Sequence, residues 1–221
     1  MGIPIAAADS IQYILHKYGL KEAPKYQPTI IPNAGRDDLA GLFAELGFES
    51  GAEIGVERGL YSEVLCRENP QAVIHGIDPW RAYRGYREHV TQSKLDGFLT
   101  DTMRRMQKYD NYRIVRAFSM DALKLFKDEQ LDFVYIDGNH TLPHVINDMI
   151  EWSKKVRIGG IVSGHDYRRS VRILTRNHVP YAVHCFVESY RLHPWFLWGK
   201  KAKIPGETRD DNRSWCWVRI R

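Results

Sequence analysis

No run of apolar residues in this chain approaches the ~20 needed to span a bilayer, so no membrane-crossing helix is expected. Met1–Ser10 carries apolar residues without a basic start or an extended apolar stretch, and it is not expected to be a secretion signal. Cysteine is scarce: Cys66, Cys185 and Cys216 have no metal-ligand spacing and make no even-numbered disulfide framework. They suit a reducing compartment, where they behave as small apolar residues, so a soluble cytoplasmic protein is expected. There is no internal repeat and no low-complexity run, which excludes a repeat architecture. Charge of one sign is not concentrated either. Lys and Arg total 32 against 27 Asp and Glu, and the net +5 is dispersed; an acidic ligand or nucleic acid could be attracted, but no patch demands one. The densest basic piece, Arg168, Arg169, Arg172 and Arg176, reads as a solvated helix face.

What is present is an ordinary globular balance, 43% hydrophobic and 27% charged over 221 residues, enough for one sizeable core without disulfides or metals. Residues 1–35 read as an appendage, with a helix over Ser10–Tyr18 and then a stretch punctuated by Pro24, Pro28 and Pro32. The main domain is expected over 36–221. Asp37 is placed to cap a helix running to Leu46, with Gly47 at its stop. Strands are expected at Ala52–Val56, Val73–Ile77, Tyr112–Ala117, Leu131–Ile136 and Gly160–Ser163. Between and after them come helices at Tyr61–Glu68, Arg84–Lys108, Asp121–Phe126, Pro143–Val156 and Tyr167–Asn177. Apolar strands alternating with helices signal a parallel sheet covered on both faces. Two last strands without a helix between them, Tyr181–Tyr190 and Ser214–Ile220, read as an antiparallel hairpin around a Trp-rich excursion, Arg191–Asp211.

Glu53-Ile54-Gly55-Val56-Glu57-Arg58-Gly59-Leu60-Tyr61-Ser62 ends a strand and opens a helix. Glycines there let the backbone approach a ligand, and the helix N-terminus offers free N–H donors. The spacing is E-x-G-x-x-x-G, not the G-x-G-x-x-G of dinucleotide folds. An acid inside the first strand suits a cofactor with an ammonium group. Asp78 ends the second strand, where a carboxylate accepts from ribose hydroxyls. Phe118-Ser119-Met120-Asp121 follows the third strand, where an adenine edge would rest on Ser119 and the Met120 backbone.

Those segments are followed in order by Tyr135-Ile136-Asp137-Gly138-Asn139-His140 and Gly159-Gly160-Ile161-Val162-Ser163-Gly164-His165-Asp166-Tyr167. Together with Gly76-Ile77-Asp78-Pro79-Trp80 they resemble the family-24 branch of class I methyltransferases, which is similar to catechol-type and macrocin-type O-methyltransferases; the resemblance covers roughly residues 37–220. It implies a Rossmann-like α/β fold: a mostly parallel seven-stranded sheet with an antiparallel C-terminal hairpin and helices on both faces. It implies S-adenosyl-L-methionine (SAM) as cofactor, against a nicotinamide cofactor or a lost ligand. Glu53 would hold the methionine ammonium, Gly55 and Gly59 would shape the loop, and Tyr61, Ser62, Asp78, Ser119, Met120 and Asp137 would complete the cofactor site. Glu57 stands where many relatives carry a second loop glycine.

Asp137 ends the fourth strand and His165-Asp166 the fifth, so both converge on the ligand crevice of an open sheet. In the related O-methyltransferases, acids at these two places bind a divalent metal that lowers the pKa of the substrate hydroxyl. Here the ligands would be Asp137, His165 and Asp166, with His165 standing where relatives carry an acid. The metal-free alternative uses His140 or His165 as general base beside Asp137; the bland alternative is that His140 caps the next helix and His165 bonds a carbonyl. The other histidines, His75, His89, His144, His178, His184 and His193, are expected to be structural or surface residues.

For the acceptor, O-methylation of a sugar, polyol or phenol leads. Methylation of a nucleotide or RNA end, or SAM binding without turnover, are the alternatives. Against nucleic acid, no Asp/Asn-Pro-Pro-aromatic motif follows the fourth strand, no Pro-Cys pair is present, and no nucleic-acid module is appended. Acceptor contacts are expected from the first 35 residues, from Trp80, Tyr83 and Tyr86 interleaved with Arg81, Arg84 and Arg87, and from Trp195, Phe196 and Trp198 with Lys200, Lys201 and Lys203; the alternative, left open for Trp195 and Trp198, is that these aromatics close a small hydrophobic cluster under the loops. Trp215 and Trp217 alternate on a strand and belong to a core. A homodimer is compatible with the appendage packing on a neighbour.

Overall fold

A computed structural model describes residues 7–84, 90–168, 177–200, 205–206 and 212–221. The chain runs α1 (Ala7–Lys17), β1 (Thr29–Ile31), α2 (Arg36–Glu45), β2 (Ser50–Ile54), α3 (Leu60–Glu68), β3 (Val73–Ile77), α4 (Gln92–Met106) and β4 (Tyr112–Val115). It continues through α5 (Ser119–Ala122), β5 (Leu131–Ile136), α6 (Leu142–Lys155), β6 (Val156–Tyr167), α7 (Val179–Tyr190), β7 (Trp195–Trp198) and β8 (Arg213–Val218). The strands form one sheet in the order β1-β7-β8-β6-β5-β2-β3-β4, in which β8 runs antiparallel to both its neighbours. Among the described residues, no helix is long and apolar enough to cross a membrane.

Among the described residues the sheet has eight strands where seven were expected. The addition is β1, Thr29–Ile31, an edge strand paired in parallel with β7. It lies between Pro28 and Pro32, which can flank an edge strand but not continue one, and three residues are too few to show alternation. The first 35 residues therefore contribute to the same sheet, and α1 is pinned to it by Ser10 Oγ donating to the Gly159 carbonyl at 2.8 Å.

The expected hairpin is antiparallel but its first arm is corrected. Tyr181–Tyr190 is not a strand; it lies in helix α7. Val179, Ala182, Val183, Phe186 and Val187 are its buried side chains, a helical spacing that the β-branched and aromatic content obscured, and Pro180 sits in its first turn, where no N–H is missed. The arm is instead β7, four consecutive buried residues inside the supposed excursion. Trp195 and Leu197 enter the core layer that holds Trp215 and Trp217, while Phe196 and Trp198 enter the opposite layer. A strand covered on both faces reads as an unbroken apolar run, which conceals its period of two. The expected helix Tyr167–Asn177 has Tyr167 at the end of β6 instead, and 169–176 lie outside the described residues. Arg169, Arg172 and Arg176 fall there too.

Register positions the site. Ile54 pairs with Ile77 on β3 and with Ile136 on β5, and Ile136 pairs with Gly164 on β6. Gly55, Asp78, Asp137 and His165 therefore emerge side by side at the carboxyl ends of neighbouring parallel strands, where an open α/β sheet binds ligands.

Candidate active site

The loop after β2 turns at Gly55 with φ +91°, and a Cβ there would stand 2.3 Å from the Asp137 carbonyl oxygen. Only glycine permits that approach of the two strand-end loops. Glu57, at the position of the relatives' second glycine, keeps the left-handed conformation with φ +53°. Asp78 holds this loop: its Oδ2 accepts from the Val56 and Glu57 amides at 3.0 Å each, and its Oδ1 from the Trp80 amide at 2.7 Å. Burial raises the Asp78 pKa against the lowering effect of these three donors.

A cavity of about 540 Å³ opens over these strand ends. Of the residues expected to hold a cofactor, Glu53, Gly55, Tyr61, Asp78, Ser119, Met120 and Asp137 line it, together with His165 and Asp166. Gly59 and Ser62 stand behind its wall: Gly59 caps α3 at φ +70°, and Ser62 Oγ donates to the Glu53 carboxylate while lying 3.0 Å from Tyr112 Oη. Glu53 is 2% exposed. Burial lifts its pKa to about 8, with Ser62 and Arg36 opposing the rise and Asp137 adding to it.

At the β5 and β6 ends, His140 Nε2 lies 3.0 Å from Asp166 Oδ2 and 3.4 Å from Asp137 Oδ1. Burial alone would lower the His140 pKa, but hydrogen bonds to the two carboxylates win and raise it to about 9. His165 Nδ1 stands further off, 3.7 Å from Asp137 and 3.8 Å from Asp166, and its Nε2 is buried with no partner among the described residues. The pairing of β6 with β8 shifts register between Gly164 and Tyr167, and Asp166 takes φ +58° inside that irregularity. Such a bulge re-aims side chains next to a site. Asp137, His140 and Asp166 each offer one ligand atom, all within 4.8 Å of one another. The tightest metal-competent set thus contains His140 in addition to the two expected acids, with His165 beside it.

His140 does not cap α6. The first amide of that helix, Leu142 N, donates to His178 Nδ1 at 3.0 Å, and His178 N in turn donates to the His140 carbonyl at 2.8 Å. His178 therefore fixes the loop that carries His140.

Arg36, Tyr83, His144, Asn147 and Asp148 also line the cavity, beyond the cofactor and catalytic groups expected from the sequence. Arg36 begins α2 and sits over the Tyr61 ring at 5.1 Å; nothing local in the sequence brings α2 to the β2 end. Of the expected acceptor contacts, Arg81 and Tyr83 line the cavity, whereas Trp80, Trp195, Phe196 and Trp198 are fully buried and are core residues. Tyr86, Arg87, Lys201 and Lys203 lie outside the described residues.

Residues 52–167, more than half of the chain, match the family model described as a methyltransferase domain. No curated protein matches the chain in sequence. Solved structures with the same fold include the O-methyltransferase from Bacillus cereus in complex with SAH, at 16% identity and TM-score 0.57 over 83% of this chain and 80% of that one. The O-methyltransferase TomG from Streptomyces achromogenes, in complex with SAM, is 16% identical with TM-score 0.56 over 99% and 91% of the two chains. Cofactor-bound Rv0187 from MTB is 18% identical with TM-score 0.56 over 84% and 80%. At these identities the likeness establishes the fold.

Proposed function

This chain belongs to the methyltransferase-domain family, and from that premise we propose that it transfers the methyl group of SAM to a hydroxyl of a small-molecule acceptor. The observation that carries the reading is one continuous cavity that joins Glu53, Asp78 and Ser119 to Asp137 and Asp166. Glu53 receives the methionine ammonium, Asp78 the ribose hydroxyls, and the corner at Ser119 and Met120 the adenine. The acceptor's hydroxyl would then be held at the ends of β5 and β6, where Asp137 and Asp166 stand. A C–O bond forms as the C–S bond breaks, and the hydroxyl proton must leave. Holding oxygen, methyl and sulfur in line supplies much of the rate.

Asp137, His140 and Asp166 fit a divalent cation, and two carboxylates with an imidazole suit Mn²⁺, Fe²⁺ or Zn²⁺ better than Mg²⁺. Bound there, such a cation supplies the charge that lowers the acceptor's pKa. The histidine-base alternative has less support. In the cation-free site, with a pKa of about 9, His140 is protonated near neutral pH and takes no further proton; that proton would be displaced by a bound cation. In a site without a cation, Asp137, which stands at the β5 end and whose pKa burial raises, would take the acceptor's proton. The three cysteines are free, Cys66 and Cys216 buried and Cys185 exposed, which accords with a cytoplasmic enzyme.

The test is transfer of label from methyl-labelled SAM to a panel of phenols, sugars and polyols, with and without a chelator. Transfer to a hydroxyl that falls at least a hundredfold in Asp137→Asn is expected. Binding of SAM with no transfer to any acceptor would instead favour a SAM-binding protein without turnover.

A further inference from the structure

Helix α6 buries Val145, Asp148, Met149 and Trp152, the spacing of one helical face. Three of these belong on a core face; a carboxylate does not, unless it is paired or used. Asp148 is 5% exposed and has no ion-pair partner among the described residues. Its Oδ1 accepts from Ser119 Oγ. The Ser119 hydroxyl in turn accepts from Trp152 Nε1 at 2.8 Å. Ser119 is therefore turned inward, its proton committed to Asp148 and a lone pair to Trp152. Asp148 Oδ2 makes no hydrogen bond among the described residues, and the residue lines the cavity. Phe118, Met120 and Tyr83 line the same cavity, and the two rings, Tyr83 and Phe118, meet edge to face at 5.3 Å. Asp148 thus brings a carboxylate oxygen with no hydrogen bond among the described residues into a cavity wall that also holds two aromatic rings, Met120, His144 and Asn147.

A planar purine fits beside such rings, and a carboxylate facing its 6-position distinguishes an amino from an oxo group. An ionised acid accepts and cannot donate. It hydrogen-bonds the 6-amino group of adenine and opposes the 6-oxo group of hypoxanthine, which presents another acceptor. Resting on the reading of the cavity as the SAM site, we infer that Asp148 is the specificity-determining residue for the cofactor's adenine. It selects a 6-aminopurine through Oδ2, while Ser119 and Trp152 fix its orientation. This reassigns the side-chain contact expected of Ser119. Burial raises the Asp148 pKa to about 7 against the opposing bond from Ser119, so the acid is ionised at pH 8.5 and its preference is clearest there.

The test compares S-adenosylhomocysteine with S-inosylhomocysteine by calorimetry at pH 8.5, for wild type, Asp148→Asn and Asp148→Ala. In Asp148→Asn the carbonyl keeps the Ser119 bond and the amide NH2 takes the place of Oδ2, so it opposes adenine and donates to hypoxanthine. A lost or gained bond to a charged or buried group corresponds to roughly 10–100-fold in affinity. The adenosyl ligand is expected to weaken by that factor, the inosyl ligand to tighten, and the preference to invert. Asp148→Ala removes the acceptor without adding a donor, and is expected to weaken the adenosyl ligand while leaving the inosyl ligand within about threefold. A merely structural role would weaken both ligands together. Wild-type binding of S-adenosylhomocysteine with an unchanged adenosyl-to-inosyl ratio in both variants overturns the role of Asp148 alone. Failure of the wild type to bind S-adenosylhomocysteine overturns the cofactor reading and this inference with it.

Discussion

Replacing Glu53 by Gln should make the ligand-free protein more stable and its cofactor binding weaker. Glu53 is 2% exposed and its pKa rises from 4.5 to about 8, chiefly through burial. The folded state therefore holds this proton more tightly than the unfolded chain. Its contribution to stability is full below pH 4.5 and is lost as pH rises through 8. At ~1.36 kcal/mol per pH decade the loss reaches roughly 5 kcal/mol above pH 8 and about 3 kcal/mol at pH 7, as upper bounds. A chain of this size shifts by about 2–4 °C per kcal/mol, so the melting temperature of Glu53→Gln should exceed that of wild type by as much as ~6–12 °C at pH 7 and by little at pH 4.5. The assay is thermal unfolding across that range; the difference between the two proteins isolates Glu53 from Asp148 and Asp137, which also carry raised values. The same carboxylate must ionise to meet the methionine ammonium. With a pKa of about 8, roughly nine-tenths of it is protonated at pH 7, so cofactor binding should release close to one proton. Calorimetry in buffers of different ionisation enthalpy reads that proton, and Glu53→Gln should abolish it. A wild type whose advantage over the variant grows with pH, or binding without proton release, would refute the argument.

Gly55→Ala should abolish cofactor binding and cost several kcal/mol, since the new Cβ would lie 2.3 Å from the Asp137 carbonyl; chemical denaturation and S-adenosylhomocysteine titration check both. Glu57→Gly should raise the melting temperature by about 2–4 °C, because a residue at φ +53° pays a left-handed penalty of ~1 kcal/mol that glycine avoids. His140→Ala should weaken Mn²⁺ binding at least tenfold, read by competition with a metal-sensitive dye, because one of three ligand atoms within 4.8 Å is removed. Asp78→Asn should lower both cofactor affinity and loop order, since the carboxylate also accepts three backbone amides; faster amide exchange at Val56 and Glu57 would separate the second effect from the first.

Strands β2, β3 and β5 were legible because each is a short apolar run closed by a glycine or an acid, and those closing residues are also the ones that register brings together at Gly55, Asp78 and Asp137. Errors gathered where two signals compete. Val179–Val187 carries strand-favouring residues at helix-favouring intervals, and its burial pattern, which only the fold supplies, settled the matter. Trp195–Trp198, buried on both faces, showed no alternation to read. Within the cavity, groups at strand ends were found from position alone. Arg36 and Asp148 were not, because their helices reach the cavity by long-range packing; Asp148 did carry one local signal, an acid on the apolar face of an amphipathic helix. The ion-paired role of His140 needed the separation of the β5 and β6 ends, which spacing in sequence does not encode.

The most direct test of the central claim is calorimetric titration of the purified protein with SAM and S-adenosylhomocysteine, with and without a chelator. The account predicts saturable one-to-one binding of both, weakened in Asp78→Ala. Absence of binding by either ligand, whatever the metal, would contradict it.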